Sequence, residues 1–116
     1  MIELDNHLSA FETRLRTVEG LRATSIKLYC SMVKEFFRWY QGFLLPGSQA
    51  DIAQITRQEL ESYLEPLFFK GDKERTRLTK LIAIRRFFGY LLYEGTIKAD
   101  ITVGIHRPKT RKGNIQ

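Results

Sequence analysis

One cysteine, three prolines and two histidines are all that this 116-residue chain holds of those types. With Cys30 alone, no disulfide can close within the chain and no cysteine-based zinc site can assemble. No apolar run approaches the roughly 20 residues needed to cross a bilayer. The start, Met1-Ile2-Glu3-Leu4-Asp5, also lacks the layout of a signal peptide. A cytoplasmic protein without a membrane partner is the expectation. His7 and His106 stand almost a hundred residues apart, with no carboxylate constellation around either in the sequence, so neither is read as a metal ligand or a catalytic base. A glycine-rich phosphate loop, HExxH and GxSxG are missing too. No catalytic residue, metal ligand or cofactor is therefore assigned.

What the chain does have is apolar content and positive charge. Hydrophobic residues make up 43% of it, too many for a disordered segment, and the length suits one domain that buries roughly 65% of its unfolded surface. Nineteen Lys and Arg against thirteen Asp and Glu give a formal charge of +6. The sequence pI of about 9.7 lies above the value of about 9 that flags nucleic-acid binders.

Four helices are predicted and no strand. Leu4, Leu8, Phe11, Leu15 and Val18 fall at helical steps of four and three, with Gly20 as the stop. Ile26, Tyr29, Val33, Phe36, Phe37 and Tyr40 share a face of a second helix over about 23–41, closed by Gly42, Pro46 and Gly47. Leu28, Met32 and Trp39 form a second apolar strip on it, for a neighbouring helix or a partner subunit. Thr56 and Glu59 form a capping-box pattern before Leu60, Tyr63, Leu64 and Leu67, and Pro66 is expected to kink the third helix or end it near Glu65. The fourth runs over about 73–93 from an Asp72 cap, with a stripe of Leu78, Leu81, Ile84, Phe88 and Leu92 and a stop at Gly95. The expectation is an all-α, compact bundle of four main helices over 1–105, followed by a basic linker over 106–116 and without a catalytic domain.

The cations are not scattered evenly. Lys27, Lys34 and Arg38 lie within about 40° of one another on the second helix, and Thr24 continues that stripe. Glu35 stands near it and dilutes it. The fourth helix carries Lys73, Arg75, Arg77, Lys80, Arg85 and Arg86, with its acids, Glu74 and Glu94, at the ends. The same estimate puts Arg75 close to Arg86 and Lys73 close to Lys80, so these residues flank the apolar stripe. Lys and Arg with Thr76 and Thr79 are the groups that meet phosphate oxygens and, through Arg, a guanine edge. Cys30 reads as a small core residue, and the tyrosines as core or boundary residues.

Four segments in order resemble a known family: Leu8-x-x-Phe11-x-x-x-Leu15 then Gly20-Leu21; Thr24-x-x-x-x-Tyr29 leading to Phe36-Phe37-x-Trp39; Asp51-Ile52-x-x-Ile55-Thr56-x-x-Glu59-Leu60-x-x-Tyr63-Leu64; and Leu81-x-x-Ile84-Arg85-Arg86-Phe87-Phe88-x-Tyr90-Leu91. They resemble the core-binding, SAM-like N-terminal domain of the lambda-integrase family of tyrosine recombinases, Xer-type enzymes included. The resemblance implies a domain that clamps duplex DNA at a recombination site, together with other protomers, and is monomeric alone. It implies that the second and fourth helices approach the DNA. Thr24, Lys27, Arg77, Lys80, Arg85 and Arg86 would then meet backbone or major groove, and Lys109, Arg111 and Lys112 would track phosphates. Lys34 and Arg75 join that set from the charge pattern alone. The family's catalytic arginines, lysine, histidine and tyrosine have no counterpart here, so this piece would not break strands. Four features depart from the family's pattern: Arg22 replaces a frequent serine cap, Asp100-Ile101 a frequent Asn-Pro, Pro66 is unusual in the third helix, and the start of the fourth helix is more charged than typical. A helix-turn-helix regulator and a helical protein-interaction domain are the alternatives.

Overall fold

The first helix, α1, runs Ile2–Thr17 and leaves its last carbonyls for the turn behind it. Leu21 N–H reaches back to the Leu15 carbonyl at 3.0 Å, with Gly20 at φ +65°. The bond spans one residue more than a Schellman closure, and the chain reverses through Gly20 in the left-handed region, which glycine enters without the penalty of a Cβ. The computed structural model describes residues 2–44, 46–47, 51–69 and 73–105, the side chains of 2, 3, 68 and 69 excepted. Lys109, Arg111, Lys112 and the expected linker lie outside the described residues, as does Asp72.

Beyond α1 come α2 (Ala23–Phe43), a 3-10 turn (Ile52–Gln54), α3 (Arg57–Phe69) and α4 (Glu74–Glu94). The described residues hold helices and turns and no strand, so the chain is all-α, as expected. Arg22 occupies the cap of α2 with no side-chain bond, so the departure from serine there leaves the first turn uncapped. At α3 the capping box is fully made. Glu59 N–H donates to Thr56 Oγ1 at 3.1 Å, and Thr56 N–H donates to Glu59 Oε1 at 2.9 Å. At α4 the cap position falls on Lys73, which makes no side-chain cap bond.

Of the two outcomes expected at Pro66 one is excluded, and the expected stripe on α4 is corrected at its last member. Pro66 does not end α3, which continues to Phe69. Pro66 removes only the N–H that would have met the Ser62 carbonyl, and Ser62 is exposed, so water can take that acceptor. On α4 the buried face holds Leu81, Ala83, Ile84, Phe87, Phe88 and Leu91, while Leu92 is exposed. A final step of three instead of four carries the core from Phe88 to Leu91. Val18, past the end of α1, is likewise exposed.

The core is centred on phenylalanines from three helices. Phe87 of α4 meets Phe11 of α1 edge-on at 5.2 Å and Phe37 of α2 at 5.8 Å, and Phe36 meets Tyr63 of α3 at 5.1 Å. Edge-to-face rings at such spacing add roughly 0.5–1.5 kcal/mol each beyond their burial. Ile52 and Ile55 bury under the 3-10 turn, which Asp51 caps through Ala53 N–H. Of the second strip on α2, Trp39 stacks on Phe43 and meets Tyr63 at a tilt of 54°, and Met32 packs on the core, whereas Leu28 stays exposed.

The chain after α4 is built on the core rather than released. Gly95, at φ +88°, ends the helix, and Ile97 and Ile105 are buried. Asp100 Oδ1 accepts both the backbone N–H and the hydroxyl of Thr102, so the Asp100-Ile101 departure keeps its own local turn. Arg57 of α3 donates from Nε to the Ile101 carbonyl at 3.3 Å, across the start of that turn.

Candidate nucleic-acid interface

On α2, Thr24, Lys27, Lys34 and Arg38 are all exposed, as a stripe opposite the buried Val33 and Phe36 must be. Lys27 and Lys34 line one open groove of about 510 Å³ between α1 and α2. Arg16 and Glu12 of α1 stand on its rim, and Leu21, Ile26 and Cys30 belong to its lining. Cys30 is thus half-buried in a groove wall instead of deep in the core. Burial, assisted by the Glu12 carboxylate and opposed by Lys34, pushes its thiol pKa upward, which leaves it a poor nucleophile.

The α4 residues divide into two kinds. Arg75 is exposed and Arg85 half-buried, and neither makes an ion pair with a described residue; the same holds for Lys27 and Lys34. Lys80 and Arg86 are tied down. Lys80 Nζ lies 2.9 Å from Glu35 Oε1, with only 12% of its side chain exposed. Glu35 therefore does more than dilute the α2 stripe: its carboxylate draws a cation of α4 against α2 and accepts the Tyr63 hydroxyl at 3.0 Å. Arg77 is half-buried.

Arg86 donates to Glu19 Oε1 at 2.6 Å, and its guanidinium lies 5.4 Å from the Tyr29 ring centre. Arg14, from α1, approaches the other oxygen of the same carboxylate, Nε to Oε2 at 4.0 Å, and sits 4.1 Å over the Tyr93 ring. Arg14, Arg16 and Glu19 belong to this surface, and none was singled out from the sequence. The signal for the two arginines is the basic last turn of α1, which complements a helix dipole in any case.

His7 lies on this same pair of helices. Its Nδ1 is 3.1 Å from Glu94 Oε1, a single carboxylate 87 residues away that the sequence alone does not place beside it. Glu94 also accepts the Tyr90 hydroxyl at 2.7 Å and the Thr96 hydroxyl at 2.8 Å. These bonds lower the Glu94 pKa, the Tyr90 bond most, while burial and the same bond push Tyr90 up to about 12. The cluster is a tie between the start of α1 and the end of α4, and no group of three metal-ligating side chains occurs among the described residues. No described helix is long and apolar enough to cross a membrane.

Residues 8–95 match the family model described as phage integrase, N-terminal SAM-like domain. The chain is 24% identical over 90 residues to tyrosine recombinase XerD of Bifidobacterium longum, covering 78% of this chain and 28% of that protein. It is 24% identical over 112 residues to tyrosine recombinase XerC of Oceanobacillus iheyensis, covering 97% of this chain and 35% of that protein. A putative integrase/recombinase of Sinorhizobium fredii is 22% identical over 102 residues, 88% of this chain and 24% of that one. No solved structure matches. The chain thus spans between about a quarter and about a third of the length of the curated relatives it matches. An all-α domain whose family match runs from Leu8 on the buried face of α1 to the left-handed Gly95 that closes α4 belongs to the phage integrase N-terminal, SAM-like domain family.

Proposed function

We propose that this domain binds duplex DNA at a recombination site through the exposed faces of α2 and α4, as the gripping half of a tyrosine-type recombinase. The observation that carries the reading is the group of cations with no ion pair to a described residue: Lys27 and Lys34 on α2 and Arg75 and Arg85 on α4. An unpaired surface cation gives up only water and counterions when it meets a phosphate, and counterion release supplies most non-specific affinity. Thr24 adds a hydroxyl for a phosphate oxygen near the start of α2. Arg77, Lys80 and Arg86 belong to the same helix, but Lys80 and Arg86 would first have to leave Glu35 and Glu19. Lys109, Arg111 and Lys112 would extend the contact along the backbone.

In this reading the chain contributes grip and position, and strand breakage and rejoining belong to catalytic residues it does not contain. Other protomers join it on the DNA, and the isolated domain is a monomer in the cytoplasm.

The test is an NMR titration with a mixed-sequence duplex at low salt, repeated at higher salt. The expected result is amide shifts concentrated on residues 24–34 and 75–86 that fade with salt, with a Kd of about 10⁻⁴ to 10⁻⁶ M. Unmoved amides on both helices at low salt would overturn it and favour a protein-interaction domain.

A further inference from the structure

Two arginines from different helices converge on one carboxylate at the α1–α2 connection. Arg86 takes Glu19 Oε1 at 2.6 Å and Arg14 approaches Oε2 at 4.0 Å. Each guanidinium is held from a second side by an aromatic ring, Tyr29 for Arg86 and Tyr93 for Arg14. The ion-pair side chains remain 29–36% exposed, so the group opens to solvent. Glu19 itself sits in the turn before Gly20, four residues ahead of α2. A carboxylate gripped by two guanidiniums offers the charge and the paired acceptor oxygens of a phosphodiester, the anion for which an arginine fork is suited.

We propose that Arg14 and Arg86 form a binding site for a backbone phosphate of duplex DNA, and that Glu19 occupies this site in cis until the duplex displaces it. The inference rests on the DNA-binding reading and adds a residue, Arg14, that neither charge pattern nor resemblance singled out. The displacement costs little. An exposed ion pair is weak, and Glu19 lies in a turn whose backbone closure, Leu21 N–H to the Leu15 carbonyl, does not involve its side chain. The rings hold the two guanidiniums in place, so a site is left behind when the carboxylate swings away. Glu19 then acts as a filter: it weakens every encounter, and only a duplex already held by α2 and α4 delivers a phosphate at sufficient local concentration.

The experiment measures fluorescence anisotropy of a labelled mixed-sequence duplex against the whole chain, Glu19→Gln, Glu19→Gln with Arg14→Ala, Glu19→Gln with Arg86→Ala, and a Lys27→Ala/Arg85→Ala control, over a salt series, with thermal melts of each. Glu19→Gln is expected to bind about threefold tighter or better at low salt, since it releases cations held by a pair of that modest strength. Its log–log salt slope is expected to steepen by about 0.9, one phosphate's worth. Adding Arg14→Ala or Arg86→Ala is expected to abolish the gain. If Glu19→Gln melts lower yet binds no tighter, while the control still weakens binding, Glu19 is only a strut and the phosphate site is overturned with the DNA reading intact. If neither the wild type nor any variant binds duplex, the DNA reading falls and takes this site with it.

Discussion

Lys80 of α4 and Glu35 of α2 are joined at 2.9 Å, and the lysine side chain is 12% exposed. Since Glu35 also accepts the Tyr63 hydroxyl, one carboxylate links three helices. Breaking a pair this sheltered leaves a charge without its partner, which for fully buried pairs costs about 3–5 kcal/mol. The Glu35 side is half in water, so Glu35→Ala is expected to cost about 1–2 kcal/mol. Denaturant melts of Glu35→Ala, Lys80→Ala and the double variant would show the coupling. A purely additive cycle would mean that the pair contributes nothing. In duplex titrations, Lys80→Ala is expected to weaken binding less than Arg85→Ala, because Lys80 is already engaged.

The capping box at α3 supports the 3-10 turn and the helix behind it. Thr56→Ala removes the acceptor that Glu59 N–H uses and is expected to cost about 1 kcal/mol. That is a Tm lower by about 4–8 °C in a domain of this size. Thr56→Ser keeps the oxygen and is expected to melt close to the wild type. Equal losses in both variants would point to the methyl group and not to the cap.

Two glycines of α4 should respond in opposite directions. Gly89 lies inside the helix, and a Cβ there would meet nothing within 4 Å. Gly89→Ala is expected to raise stability by about 0.5–1 kcal/mol, because glycine in a helix interior gives up more backbone freedom than alanine. Gly95 is at φ +88°, where a side chain is strained even though space is open. Gly95→Ala is expected to cost about 1–2 kcal/mol. Chemical denaturation of both variants checks the pair of signs.

The local features of this fold were legible in the sequence. Four helix stripes, Gly20 and Gly95 as stops and the Thr56/Glu59 box each depend on residues a few positions apart, where helical geometry makes spacing a reliable guide. The misses share a different cause. The α4 stripe drifted to Leu92 because 3.6 residues per turn allow a step of three or four, and only packing against α1 and α2 selects Leu91. At Pro66 the sequence leaves both a kink and a stop open because the loss of one hydrogen bond is visible in it, while the exposure of Ser62, which lets the helix run on, is not. At the candidate interface, the basic faces were legible as charge patterns. The sorting of those cations was not, since Lys80 with Glu35, Arg86 with Glu19 and His7 with Glu94 are meetings over 45 or more residues that only the tertiary fold brings about.

The Glu94 cluster gives the domain an acid-sensitive tie. Glu94 has its pKa lowered by the Tyr90 hydroxyl first, against burial, and then by the Thr96 hydroxyl and His7. A carboxylate whose folded pKa lies below its unfolded value adds stability above that unfolded value, near 4.5. The contribution is lost as pH falls through the lower, folded pKa, where the carboxylate takes up a proton. Tyr90 runs the other way. Its folded pKa is raised from 10.0 to about 12, so its contribution is complete below 10 and disappears as pH climbs toward 12. Melting curves from pH 3 to 11 are therefore expected to show Glu94→Gln with a lower Tm than wild type at neutral pH and a shallower decline below pH 4.5. Tyr90→Phe is expected to flatten the alkaline limb. It should also steepen nothing on the acid side, because without the Tyr90 hydroxyl Glu94 loses the largest cause of its lowered pKa and with it much of the difference between folded and unfolded states. An acid limb unchanged in both variants would mean that other carboxylates govern the acid transition and that the tie between α1 and α4 is not electrostatic.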